Sequence, residues 1–121
     1  MTEAIVTESG CIFCRIGRGE IPADLVHDED DLLAFRDIDP KAPTHILIIP
    51  RKHIVSVGAM DDGDETIAGR LMLAARDIAQ REHLADSGFR IVANTGKDGG
   101  QSVDHLHLHL LGGRVMRWPP G

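Results

Sequence analysis

His105-Leu106-His107-Leu108-His109-Leu110-Leu111 alternates imidazole and isobutyl side chains with a period of two. In an extended strand that period sends the three histidines to one face and Leu106, Leu108 and Leu110 to the other. The leucine face belongs to a core. The histidine face suits neither solvent nor a core, because three adjacent imidazoles each need polar partners. One reading of it is a set of satisfied structural residues. A second is a metal site, since His-x-His on a strand can chelate zinc. Same-face positions lie roughly 6.6 Å apart, so the outer two are about 13 Å apart and strain a single ion. The third is a nucleophilic middle histidine, His107, oriented by its neighbours and kept neutral near pH 7 by their proximity. This reading accounts best for the row. It predicts activity that falls below roughly pH 6 as the rings protonate.

Working outward, the leucine face needs a cover. Asp62 and Glu65 have capping-box spacing, and Ile67, Leu71, Ala74, Ala75, Ile78 and Ala79 follow at helical intervals. Gly88 is the expected left-handed stop beyond that helix. Short apolar runs at Leu25–His27, Leu32–Phe35, His45–Ile49 and Phe89–Asn94 read as further strands, and 12–19 as a short helical turn. The acidic run 28–31 between the first two strands reads as a hairpin turn rather than a cation site. Hairpins plus one long helix predict an α+β domain with a mostly antiparallel sheet, over residues 11–121, after a flexible segment at 1–10. The loop Gly99-Gly100-Gln101-Ser102 offers backbone N–H groups and a hydroxyl just before the histidines, suited to a phosphate.

Composition sets the bounds. A chain of 121 residues, 42% hydrophobic and 26% charged, can bury a core without disulfides. A net charge of −6 argues against non-specific binding to nucleic acid or anionic lipid. No run approaches the roughly 20 apolar residues of a membrane span, and the N-terminus lacks signal-peptide features. Cys11 and Cys14 form a metal half-site or a redox pair, which suits a reducing cytoplasm.

The histidine row resembles the His-φ-His-φ-His-φ-φ signature of the histidine triad (HIT) superfamily, φ being apolar. The likeness extends through Ile21-Pro22-Ala23, Phe35-Arg36-Asp37-Ile38, Ala42-Pro43-Thr44-His45, Ile49-Pro50-Arg51-Lys52-His53-Ile54 and Asp98-Gly99-Gly100-Gln101-Ser102-Val103. The tail Leu111-Gly112-Gly113-Arg114 with Trp118-Pro119-Pro120-Gly121 is similar to the histidine triad nucleotide-binding proteins, the purine nucleoside phosphoramidases.

That resemblance implies a five-stranded HIT-like fold with one long and one short N-terminal helix, assembled as a homodimer. It implies purine nucleoside monophosphates as ligands and phosphoramidates as substrates, with no catalytic cofactor. His107 is then the nucleophile forming a nucleotidyl-histidine, His109 bonds the phosphate or leaving group, and His105 and His45 support them. Asp37 takes the ribose hydroxyls and Ile38 the nucleoside, while Asn94, Gly100, Gln101 and Ser102 line the phosphate pocket. Phe13, Ile16 and Ile21 are core or base-pocket residues, and Trp118 lies near the partner's site. Relatives that keep the cysteine pair imply a structural zinc held by Cys11, Cys14, His53 and His105. Two rival functions stay open here: a nucleotide-sensing module with little turnover, and a zinc hydrolase centred on the histidine row.

Overall fold

A computed structural model describes residues 7–121, so residues 1–6 of the expected flexible segment lie outside the described residues. The chain runs α1 (Ile12–Gly17), β1 (Leu25–Asp28), β2 (Leu32–Arg36), β3 (Thr44–Pro50), α2 (Glu65–Arg81), β4 (Phe89–Val92) and β5 (Leu108–Gly112). The five strands form one sheet in the order β1-β2-β3-β5-β4, antiparallel at every pairing. The α+β architecture read from the sequence is the one observed. No helix among the described residues is long and apolar enough to cross a membrane.

Strand alternation gives the sheet two unlike faces. Leu32, Ala34, Ile46, Ile48, Leu108 and Leu110 join Leu106 and the α2 stripe Leu71, Ala74, Ala75, Ile78 and Ala79 in one buried cluster. The intervening residues Leu33, Phe35, Leu47 and Ile49 form a second cluster with Phe13 of α1. At six residues, α1 is too short to hold as a helix alone and depends on this packing. The histidines share its side of the sheet.

Three local expectations shift. The strand expected from His105 to Leu111 enters the ladder only at Leu108. The register that pairs Ile48 with Leu108 sets Pro50 opposite Leu106. Pro50 has no N–H to extend the ladder, and Leu106 instead donates to the Ile54 carbonyl at 2.6 Å. The leucine and histidine faces nonetheless stay separated through this segment. The capping box sits one residue earlier than the Asp62/Glu65 spacing suggests. It joins Asp61 and Asp64 around a short 3₁₀ turn, where Asp64 also accepts from Lys52 at 2.7 Å. The helix ends at Arg81 with His83 in the left-handed region (φ 61°), while Gly88 (φ 101°) turns the chain into β4.

Gly112 ends β5 against buried Leu84, and a Cβ there would lie 2.6 Å from the Leu84 Cδ1 and 3.1 Å from its Cγ. Gly112→Ala should therefore cost about 1–3 kcal/mol by overpacking. A urea denaturation midpoint equal to that of the parent chain would show that Leu84 yields freely.

Candidate active site

His107 is almost fully buried at 3% exposure. Its Nδ1 lies 2.7 Å from the carbonyl oxygen of His105. A carbonyl only accepts, so Nδ1 carries a proton, and in the neutral tautomer Nε2 is the bare lone pair. Phe13 meets His105 and His107 edge-on, with centroids 5.9 Å and 5.2 Å away, and holds both rings in place.

The neighbouring ring is set by a longer chain of bonds. The Lys41 backbone N–H donates to Nδ1 of His45 at 3.0 Å, which places the His45 proton on Nε2. That proton faces Nδ1 of His109 at 2.9 Å, so His109 accepts there and keeps its own proton on Nε2. An Asp37 carboxylate oxygen lies 3.5 Å from the same His45 nitrogen. The His107 and His109 rings are 4.9 Å apart, one carrying a lone pair and the other an N–H donor. A lone pair and a hydrogen-bond donor thus stand side by side.

Burial, reinforced by the neighbouring His107 and His45, holds the His109 imidazole down to about 4. Burial likewise lowers His45, against the pull of Asp37. His109 therefore stays neutral through pH 6, where an ordinary imidazole takes up a proton.

The His107 and His109 rings line a cavity of about 310 Å³ whose other walls are mostly apolar, including Phe13 and Ile16 of α1, Ile21, Phe35 and Leu47. Asp37 and Ser102 supply polar lining, and Ile38 stands fully exposed at the rim. The other expected pocket residues sit differently. Asn94 donates to the Gly99 carbonyl at 2.6 Å. Gln101 accepts from Gly96 and donates to the Val55 and Val103 carbonyls. Gly100 (φ 75°) occupies a backbone region that favours glycine. These three shape the loop rather than line the cavity. Trp118 is 83% exposed and lies outside this chain's cavity.

Behind the pocket, Cys11, Cys14, His53 and His105 bring one donor atom each within 4.8 Å of one another. Nδ1 of His105 lies 3.3 Å from the Cys11 sulfur and 3.5 Å from that of Cys14, and Nδ1 of His53 lies 3.3 Å from Cys14. Tetrahedral coordination at ordinary Zn–S and Zn–N lengths gives S···N edges of about 3.6 Å. The residues therefore fit a metal ion. The far nitrogens fit as well: His105 Nε2–H donates to the Pro50 carbonyl at 2.8 Å, and His53 Nε2 faces Glu8 at 3.5 Å. Such partners leave Nδ1 free to ligate. Burial pushes the Cys14 thiol up, and the Glu8 N–H opposes it. Asp37, His45 and His109 also approach within 4.8 Å. There the Lys41 N–H fixes a proton on the His45 nitrogen that an ion would need, so this triangle suits proton handling.

The chain matches the HIT domain model over residues 18–116. It belongs to the HIT family. An uncharacterized HIT-like protein of Synechococcus elongatus is 50% identical over 110 residues, 91% of this chain and 96% of that one. A HIT family hydrolase from Legionella pneumophila superposes with a TM-score of 0.91 at 51% identity, covering 93% of this chain and all of that one. A histidine triad protein from Clostridium difficile gives 0.90 at 40% identity, covering 93% and 97%. Sequence reasoning placed the triad residues of this HIT protein together with His45 and the Cys/His set. It missed the acceptors and donors that fix the rings, namely the His105 and Pro50 carbonyls and the Lys41 N–H. Backbone atoms leave no mark in a sequence.

The unfolded chain protonates His109 near its ordinary 6.5, the folded chain only near 4. Its contribution to stability is complete above pH 6.5 and is lost as pH falls toward 4, because the unfolded state binds the proton first. His109→Asn should flatten that part of a stability-against-pH curve. An unchanged slope would place the acid sensitivity elsewhere.

Proposed function

We propose that this HIT protein is a nucleotidyl hydrolase of the purine nucleoside phosphoramidase type. The observation that carries the reading is the His105 carbonyl on Nδ1 of His107, which leaves Nε2 as a nucleophile beside the His109 N–H. In the proposed first step, His107 Nε2 attacks the α-phosphorus in line. The new P–N bond forms as the bond to the leaving amine breaks, and the amine departs with a proton passed from solvent through His109. Water then attacks phosphorus, breaks the bond to His107 and releases the nucleoside monophosphate. The first step consumes one proton and the second returns it. His45 sets the His109 tautomer, and His105 sets that of His107.

The apolar cavity suits a purine ring, which can bind largely by packing. Asp37 would take the ribose hydroxyls and Ile38 would lie against the nucleoside. Ser102 would meet the phosphate on a loop ordered by Asn94, Gly100 and Gln101. The reading includes a homodimer in the cytoplasm, with Trp118 near the partner's site. The open edge of β4, with Phe89, Val115 and Trp118 exposed, supports an assembly. The Cys11, Cys14, His53 and His105 set would hold a structural zinc, whose chemistry is to crosslink α1 to the histidine segment.

Adenosine 5′-phosphoramidate should yield AMP with the parent protein, while His107→Asn should lower the rate by about a thousandfold or more. The parent rate should persist in chelator. Activity retained by the variant, or lost with chelator in a still-folded protein, would contradict the mechanism.

Elemental analysis should find about one zinc per chain, and Cys14→Ser should lose the metal and melt at a lower temperature. Protein that stays zinc-free after refolding with zinc would remove the metal from the account.

A further inference from the structure

Cys11 and Cys14 are the two cysteines of this HIT protein, and both are free thiols. Cys11 is the N-cap of α1 and Cys14 lies in the first turn, so the side chains are neighbours at one end of the helix. The Cys14 backbone N–H donates to the Cys11 sulfur at 3.4 Å, and the two sulfurs lie within 4.8 Å of each other. A disulfide needs sulfurs about 2.05 Å apart, a separation that side-chain rotation at the helix N-cap can supply. Ile12 and Phe13, the residues between the cysteines, both line the apolar cavity, so the pair flanks a wall of the candidate active site.

The two thiols are unequal. Cys11 is half-buried and lines a cleft of about 370 Å³ together with Glu8, His53 and Asp104. Cys14 is 2% exposed. A solute entering the cleft meets the Cys11 sulfur first and leaves Cys14 behind it as a second thiol within reach. The carboxylates of Glu8 and Asp104 at the cleft disfavour an anionic reagent, and its size disfavours a bulky one. A small neutral hydroperoxide meets both conditions.

We propose that Cys11 and Cys14 form a reversible oxidation site for a small hydroperoxide, closing to a disulfide that excludes a metal ion from the Cys/His cluster. The Cys11 sulfur attacks a peroxide oxygen and the O–O bond breaks. Cys11 becomes a sulfenic acid, and the departing hydroxide leaves as water with the thiol proton. The Cys14 sulfur then attacks the Cys11 sulfur, the S–O bond breaks, and a second water leaves with the Cys14 proton. The two sulfurs lose two electrons and the peroxide gains them. Disulfide sulfurs are no longer thiolates, so two of the four donors of the cluster are withdrawn from a metal. The oxidation step stands on the cysteine geometry alone, and the exclusion of metal rests on the proposed structural zinc.

The parent protein is treated with hydrogen peroxide in slight excess, both as purified and after dialysis against a chelator. Both thiols should disappear together, with an intact mass lower by about 2 Da on an unlinked chain, and both should return with dithiothreitol. Bound zinc should be freed at about one ion per disulfide, read with a chromogenic chelator. After peroxide, dimedone should label Cys11 in Cys14→Ser protein about tenfold faster than it labels Cys14 in Cys11→Ser protein. If either variant does not fold, native alkylation of the parent protein should modify Cys11 first by a similar factor. Thiols that survive peroxide in both preparations, sulfinic products, disulfides between chains, equal labelling of the two cysteines, or zinc retained by the disulfide form would overturn the proposal. Protein that binds no zinc yet closes the disulfide reversibly would remove the metal reading and leave the oxidation site standing.

Discussion

The carbonyl oxygen of His105 is the constraint on which the rest of the site depends. By accepting from Nδ1 of His107 it fixes which nitrogen of a buried imidazole has a lone pair. The same residue turns its ring the other way, with Nε2 on the Pro50 carbonyl and Nδ1 toward two sulfurs. One residue therefore faces the His107 ring with its backbone and the cysteine pair with its side chain. The fold permits this because Pro50 cannot pair with Leu106, which frees the backbone at His105 from the ladder without losing the two-face alternation.

A second chain of constraints runs from the surface inward. Arg114 holds the Lys41 carbonyl, Lys41 donates its N–H to His45, and His45 donates to His109. Each bond fixes the proton of the next, and burial keeps His109 and His105 neutral well below pH 6. Neutral rings with assigned tautomers would serve the proposed phosphoryl reaction better than cationic ones. A charged His107 would have no lone pair, and a charged His109 would repel it. The short helix α1 completes the arrangement from the other side. Its Phe13 packs edge-on against the histidine rings and lines the cavity, while Cys11 at its N-cap and Cys14 within it reach His105 and His53. Pocket wall, ring positions and the Cys/His cluster are therefore one packed unit.

Much of this could be read from the chain. The two-residue period of 105–111 put leucines under α2 and histidines on the opposite face, because alternation survives even where the ladder does not. The stripe from Ile67 to Ala79 was equally clear, since burial on one helix face leaves a 3.6-residue signature. The cap moved from Asp62 to Asp61 because Asp64, bonded to Lys52, serves as its third residue. The helix stop moved from Gly88 to His83, which takes the left-handed conformation where glycine is the residue usually read as the stop. The resemblance implies Gln101 and Asn94 at the phosphate; in the structure Asn94 donates to the Gly99 carbonyl, and Gln101 accepts from Gly96 and donates to the Val55 and Val103 carbonyls.

The central claim is that the fold assigns the protons: Nδ1–H on His107 and Nε2–H on His109. Nitrogen-15 NMR of the imidazoles near pH 7 reads this directly through the shifts and two-bond proton couplings of each ring. The account predicts a neutral His107 with unprotonated Nε2, beside a neutral His109 with unprotonated Nδ1. A His107 ring protonated at Nε2 in the folded protein would contradict it, because the residue would then have no lone pair to offer at the site.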